Sequence, residues 1–229
     1  MNIKHKKPTL TKKQRHKLRV QQVRRQKIFL TCLFLLIVGC ILLRFSKFSG
    51  RQKETHQITA ACEAYRDEVS SEAAQYDMSD YVDLLLAVMM QESSGQGTDP
   101  MQSSEGAYNT RYPQQPNGIT DPSYSISCGI QELKYALDKA GCTGPTDLSK
   151  IRLALQAYNF GADSYFAYLE ENGQTVWTAQ SAQAFAQMAS GGTQRDEDDP
   201  LHDPAGPWDY GDQYYPDHVL RYYHLDNNS

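Results

Sequence analysis

Leu84-Leu85-Leu86-Ala87-Val88-Met89-Met90-Gln91-Glu92-Ser93-Ser94-Gly95 is an apolar run that closes on a carboxylate. No polar residue interrupts it from Leu84 to Met90, so the run is too dense for one face of a surface helix and reads as a helix buried all round. Ser79 reads as its N-cap, Asp80 falls in its first turn, and Gly95 stands at C′ to end it. Glu92 then occupies the last turn. The negative end of the helix and the apolar surroundings both favour a protonated carboxyl there. A carboxylic acid kept neutral near physiological pH is what a general acid must be. On this stretch alone, Glu92 reads equally as a solvated helix end.

Outward from this run the periodicity stays helical. Ile58, Ala61, Cys62, Tyr65, Val69, Ala73 and Tyr76 recur at helical spacing, which predicts an amphipathic helix over 58–76. Residues 95–122 are rich in Gly, Pro, Asn and Ser and read as a long functional loop, with a short helix near 104–112. Asp121-Pro122 opens the next helix, with Asp as cap and Pro at the first position, ending near Gly141. Asp147 or Thr146 caps another that stops at Gly161. Two more fit 162–171 and 178–190. Residues 191–207 are acidic and Pro/Gly-rich and read as a flexible surface loop. The aromatic ending from Trp208 should fold back on the domain, with a helix near 215–224. Alternating strand patterns are almost absent, so the fold class is all-α.

Charge divides the chain of 229 residues in two. Residues 1–53 hold 15 Lys and Arg and no acid; residues 54–229 hold the other 8 against all 27 acids, a net of −19. A body this acidic argues against nucleic acid as main partner, because phosphate contacts need a basic surface. The arm 1–27 carries 11 Lys and Arg and reads as a basic cytoplasmic segment. The 16 residues Ile28–Leu43 carry no charge. With Lys27 and Arg44 snorkelling, 28–45 reads as a single transmembrane signal anchor at ~1.5 Å per residue. A cleaved signal peptide fits less well, because 44–50 offer no small-x-small site. Residues 46–57 form a stalk and 58–229 a domain outside the membrane.

The cysteines argue for neither a framework nor a metal. Cys32 and Cys40 lie in the apolar run, and Cys62, Cys128 and Cys142 form an odd set outside it. A Cys128–Cys142 bridge is open but not argued by spacing. No Cys/His spacing suits zinc, and no histidine falls between His56 and His202 to activate a thiol.

Four segments in order carry the chemistry: Glu92-Ser93-Ser94-Gly95; Asp99-Pro100-Met101-Gln102-Ser103; the Asp121…Ser125-Ile126…Gly129-Ile130…Leu133 helix; and Ala154-Leu155-Gln156-Ala157-Tyr158-Asn159-Phe160-Gly161. In this order they resemble the goose-type lysozyme and lytic-transglycosylase superfamily. That pattern has a Glu-Ser at a helix end, a Gly-x-Met-Gln turn, an Asn-Ile-x-x-Gly helix and an Ala-Tyr-Asn-x-Gly helix end. Asp-Pro-Met-Gln-Ser-Ser-Glu-Gly and the Tyr210-Gly-Asp-x-x-Tyr…His218-Val-Leu-Arg-Tyr-Tyr ending are more similar still to the muramidase domain of CwlT-type cell-wall hydrolases of Gram-positive conjugative transposons. The resemblance covers about residues 60–225.

The resemblance implies a lysozyme-like helical domain that hydrolyses the β-1,4 bond between N-acetylmuramic acid and N-acetylglucosamine in peptidoglycan glycan strands. It further implies local wall opening for conjugation beside type IV secretion components. Glu92 matches the catalytic acid and Asp99 an important second acid. As a second carboxylate, Asp99 would steady the oxocarbenium ion or activate water; as a turn residue before Pro100, it would only anchor the loop. Gln102, Tyr158 and Asn159 match positions that line the sugar cleft, and Ser93 beside Glu92 is a further substrate-binding candidate. Ser93 reads equally as a brace, Tyr158 as core and Asn159 as a helix cap. Tyr108, Tyr112 and Trp177 are further aromatics able to stack on sugars. No metal or organic cofactor is implied. Two alternatives stand beside hydrolysis. One is a lytic transglycosylase that forms 1,6-anhydro ends, against which an acid at position 99 leans. The other is a non-catalytic structural component of a conjugation apparatus. Such relatives commonly carry a second, NlpC/P60-type peptidase domain, for which the residues after the motifs leave no room, so no peptide cleavage is expected.

Overall fold

The computed structural model describes residues 56–199 and 202–224. The anchor read at 28–45, the arm before it and nearly all of the stalk lie outside these residues. Among the described residues every regular element is helical, and none of these helices is long and apolar enough to cross a membrane. In chain order they are α1 (Ala60–Glu63), α2 (Arg66–Gln75), a 3-10 turn (Ser79–Tyr81), α3 (Val82–Ser93), α4 (Pro122–Ala140), α5 (Leu148–Phe160), α6 (Ala162–Glu171), α7 (Ala179–Ala189) and α8 (Tyr215–Leu220).

Helix α3 is the centre. Leu84 through Met89 are each 0% exposed, so this helix has no solvent face over nearly two turns. α2 and α8 pack on it directly, α8 also lies on α5, and α4 runs along α5. Its ends differ in detail from the expectation. Ser79 opens the 3-10 turn rather than capping the helix, and the left-handed turn that stops α3 begins at Ser94 (φ 56°). Gly95 follows at φ 75°, and a Cβ there would stand 2.6 Å from the backbone nitrogen of Cys62. A side chain at 95 is thus excluded twice, by conformation and by the chain of α1.

The helix expected over 58–76 is two. Thr59 caps α1 through Cys62 N, and Tyr65 N bonds Cys62 O, an i→i−3 closure that ends α1 and re-aims the chain into α2. Thr59 also donates to Ser94 O at 3.0 Å, stapling the domain's start to the end of α3. Asp121 caps α4 as expected, Asp147 caps α5, and Gly161 (φ 84°) both ends α5 and starts α6. Thr178 and Ser181 form a capping box on α7.

The short helix read near 104–112 does not form. Buried Asn109 satisfies that backbone with its side chain: Nδ2 donates to Ser104 O and Tyr112 O, and Oδ1 accepts from Tyr112 N at 3.0 Å. The loop read over 191–207 has its ends tied together. Gln194 bridges Trp208, and Arg195 N bonds Pro207 O at 2.9 Å. α8 stops at Leu220, short of 224. Cys62, Cys128 and Cys142 are all free thiols.

Candidate active site

Glu92, in the last turn of α3, opens into a cleft of about 630 Å³. The loop 102–108, α4, the α5–α6 junction and the segment before α8 wall it. The hydroxyl of Tyr215, at the start of α8, donates to Glu92 Oε1. Burial lifts this carboxyl from the ordinary 4.5 to about 7; the Tyr215 hydrogen bond pulls it down, while Asp212, Asp99 and Glu132 add to the lift. The sequence-based reason for a neutral Glu92 therefore has a physical counterpart, with burial as its largest part.

A second carboxyl shares the cleft. Burial lifts Glu132, on α4, too to about 7; the nearby backbone N–H groups of Tyr108 and Ala107 pull it down, and Asp99 adds to the lift. Gly106 makes room for it: a Cβ there would fall 1.6 Å from Glu132 Oε1. The loop residue lacks a side chain where the carboxylate lies.

Asp99 is placed differently. It is 1% exposed and does not line the cleft. Oδ1 accepts from Ser103 N at 3.0 Å and Ser125 Oγ at 2.6 Å, and Oδ2 from Ser104 N at 3.1 Å and from the Ser104 hydroxyl. Both oxygens are saturated, joining the loop to α4. The Ser104 hydroxyl accepts in turn from Ile119 N at 2.8 Å, closing the loop's far end.

Of the other residues singled out in the sequence, Gln102, Tyr158 and Asn159 reach the cleft and Ser93 does not. Gln102 stands at φ 49°, and its amide donates to Asp99 O and Asn117 Oδ1. Tyr158 donates to Met101 O at 2.9 Å and stacks on Tyr215 with ring centroids 6.2 Å apart. Burial keeps both phenols well above their usual range, so they remain donors. Asn159 is not a cap; its Oδ1 accepts Asp212 N at 2.7 Å and holds the segment before α8 against α5. Ser93 donates to Pro100 O at 2.8 Å and accepts from Gly95 N, bracing the turn after Glu92. Among the aromatics, Tyr108 lines the cleft. Tyr112 packs on Tyr124, and Trp177 donates to Gln156 beneath Arg152. Among the described residues no group of three or more His, Cys, Asp or Glu is placed to hold a metal ion.

Glu132 and Tyr215 are the residues that sequence reasoning missed. Glu132 looks like any polar position on an amphipathic helix. Tyr215 belongs to the aromatic ending predicted to fold back, but no spacing ties it to Glu92.

Comparison with known proteins agrees with this architecture. The family model described as Lysozyme-like matches residues 59–223. The bifunctional muramidase/DL-endopeptidase CwlT of Bacillus subtilis is 35% identical over 169 residues, which is 74% of this chain and 44% of that protein. The membrane protein YocA of the same organism is 39% identical over 111 residues, 48% of this chain and 45% of YocA. A crystal structure from Staphylococcus aureus, described as similar to a lipoprotein of the NLP/P60 family, superposes with a TM-score of 0.63 at 26% identity. It covers 76% of this chain and 56% of that one. The chain thus spans about half the length of the relatives it matches.

Proposed function

Because the chain belongs to the lysozyme-like family, we propose that it is a peptidoglycan hydrolase, an N-acetylmuramidase that cleaves the β-1,4 bond after N-acetylmuramic acid with Glu92 as general acid. The observation that carries this reading is a carboxyl lifted to about 7 by burial, held by Tyr215, at the wall of a cleft of about 630 Å³. Such an acid is protonated near neutral pH and able to give its proton to the leaving glycosidic oxygen. The kinship with the CwlT muramidase supports the choice of bond.

Gln102, Tyr158 and Asn159 serve the cleft wall, where Gln102 offers polar groups to the glycan and Tyr158 supports Tyr215 from behind. Ser93 braces the turn that follows the acid. Asp99 acts as the anchor of the 99–119 loop rather than as a reacting group, a reading supported by its four donors.

The chain is further read as tethered by a single span at 28–45, with the basic arm cytoplasmic and the acidic domain outside. The charge partition and the kinship with a membrane protein support this. Tethering would hold an acidic domain near an anionic wall that its charge alone would not favour. A role in wall opening during conjugative transfer, beside secretion components, rests on the resemblance of the motifs. Mass spectrometry of glycan strands digested by the full chain tests the reaction. Hydrated reducing muramic ends are expected, and 1,6-anhydro ends would instead mean a transglycosylase.

A further inference from the structure

We propose that Glu132 is the second catalytic carboxylate, taking a proton from the water that attacks the anomeric carbon. This inference rests on the reading of Glu92 as general acid.

Elimination among the acids around the cleft carries it. Asp99 has no oxygen lone pair to spare and is turned away from the cleft. Asp212 is bound by His218 Nδ1 at 2.5 Å and Tyr214 N at 2.8 Å and does not line the cleft. Asp163 is exposed and held by Lys139 Nζ at 2.6 Å and the Tyr135 hydroxyl at 2.5 Å. Glu105 is exposed at the rim. Glu132 alone is half-buried and lines the same cleft as Glu92, with its carboxyl seated against the loop at Gly106. Set between that loop and the cleft, the carboxylate can hold and deprotonate a water.

The step balances. The water oxygen bonds the anomeric carbon as the glycosidic C–O bond breaks. Its proton passes to Glu132, and the Glu92 proton passes to the departing oxygen. Solvent then returns the proton from Glu132 to Glu92. The titratable groups that line the cleft with Glu132 are Glu92, Glu105 and Asp163, with the phenols of Tyr108, Tyr135, Tyr158 and Tyr210; Asp99 acts on it from behind the wall, and the cleft lining contains no Lys, Arg or His. An all-acidic surround suits one acid and one base with no cation to ionise both.

The test compares Glu132→Gln with Glu92→Gln in the full chain, on purified glycan strands. Glutamine keeps the size of the glutamate and its room beside Gly106, so the fold should survive. Glu132→Gln is expected to lose at least about 100-fold in kcat with KM little changed, and to lose the acid limb of the pH profile. Azide should restore turnover to Glu132→Ala. Should Glu132→Gln fold poorly, Gly106→Ala displaces the carboxylate without altering it, and the same loss is expected. Parent-like turnover and pH profile in both variants would overturn the proposal. Loss in Glu92→Gln with parent-like Glu132→Gln would sink only this inference; full turnover in Glu92→Gln would sink the general-acid reading beneath it.

Discussion

Tyr215 donates its hydroxyl to Glu92 Oε1 across 123 positions of sequence. It joins the end of the central helix to the start of the last one. The bond favours ionised Glu92, and burial opposes it more strongly. The carboxyl thus keeps its proton up to about pH 7, and its conjugate base has a donor waiting. Removing that donor in Tyr215→Phe should raise the Glu92 pKa further and move the alkaline limb of activity upward. It should also lower kcat by roughly tenfold or more, since hydrogen bonds to charged groups contribute about 1.5–3 kcal/mol. A pH–rate profile of the variant checks both signs.

The raised carboxyls make stability depend on pH. In the folded state Glu92 and Glu132 titrate about 7, against 4.5 when ordinary. Below 4.5 both states are protonated and nothing is lost. As pH rises from 4.5 through 7, the folded state binds more protons than the unfolded one, so stability falls. Glu92→Gln and Glu132→Gln should therefore raise the melting temperature relative to parent at pH 8 more than at pH 5. Equal effects at the two pH values would contradict the raised values.

Asp99→Asn should behave in the opposite way. It replaces an acceptor of four hydrogen bonds, buried to 1%, with an amide that opposes some of the same donors. A stability loss of roughly 2–4 kcal/mol is expected by denaturant melts, with activity falling because the loop carrying Gln102 and Tyr108 loosens. Unchanged stability with abolished activity would instead restore Asp99 as a reacting group.

Gly95→Ala probes the end of α3. The positive φ and the 2.6 Å approach to Cys62 N allow no Cβ without moving α1. A cost of at least about 1–3 kcal/mol is expected from the strained backbone alone, read as a lower melting temperature.

The parts of the molecule legible in its sequence are those fixed locally. The density of Leu84–Met89 predicted a fully buried helix, Asp121-Pro122 marked the start of α4, and Gly161 marked the break between α5 and α6. Glu92 and three of its cleft neighbours could be singled out because their motifs are short and ordered. What stayed hidden depends on contacts distant in sequence. The 104–112 segment lost its expected helix to the side chain of Asn109, whose burial no local pattern announces. The partners that make Asp99 an anchor candidate, Ser104 and Ser125, lie 5 and 26 positions away and are not announced by its own motif. Glu132 gains its meaning from the loop at Gly106 and from α3, neither of which its own helix reveals.

The most direct measurement is turnover of purified glycan strands by the full chain and its Glu92→Gln variant across pH 5 to 9. The parent should lose activity as pH rises through about 7, where Glu92 ionises. The variant should be slower by roughly 100- to 10,000-fold below pH 7, a gap that narrows as the parent loses its acid at higher pH, with its melting temperature no lower than the parent's. A Glu92→Gln protein that cleaves glycan at the parent rate would contradict Glu92 as the catalytic acid.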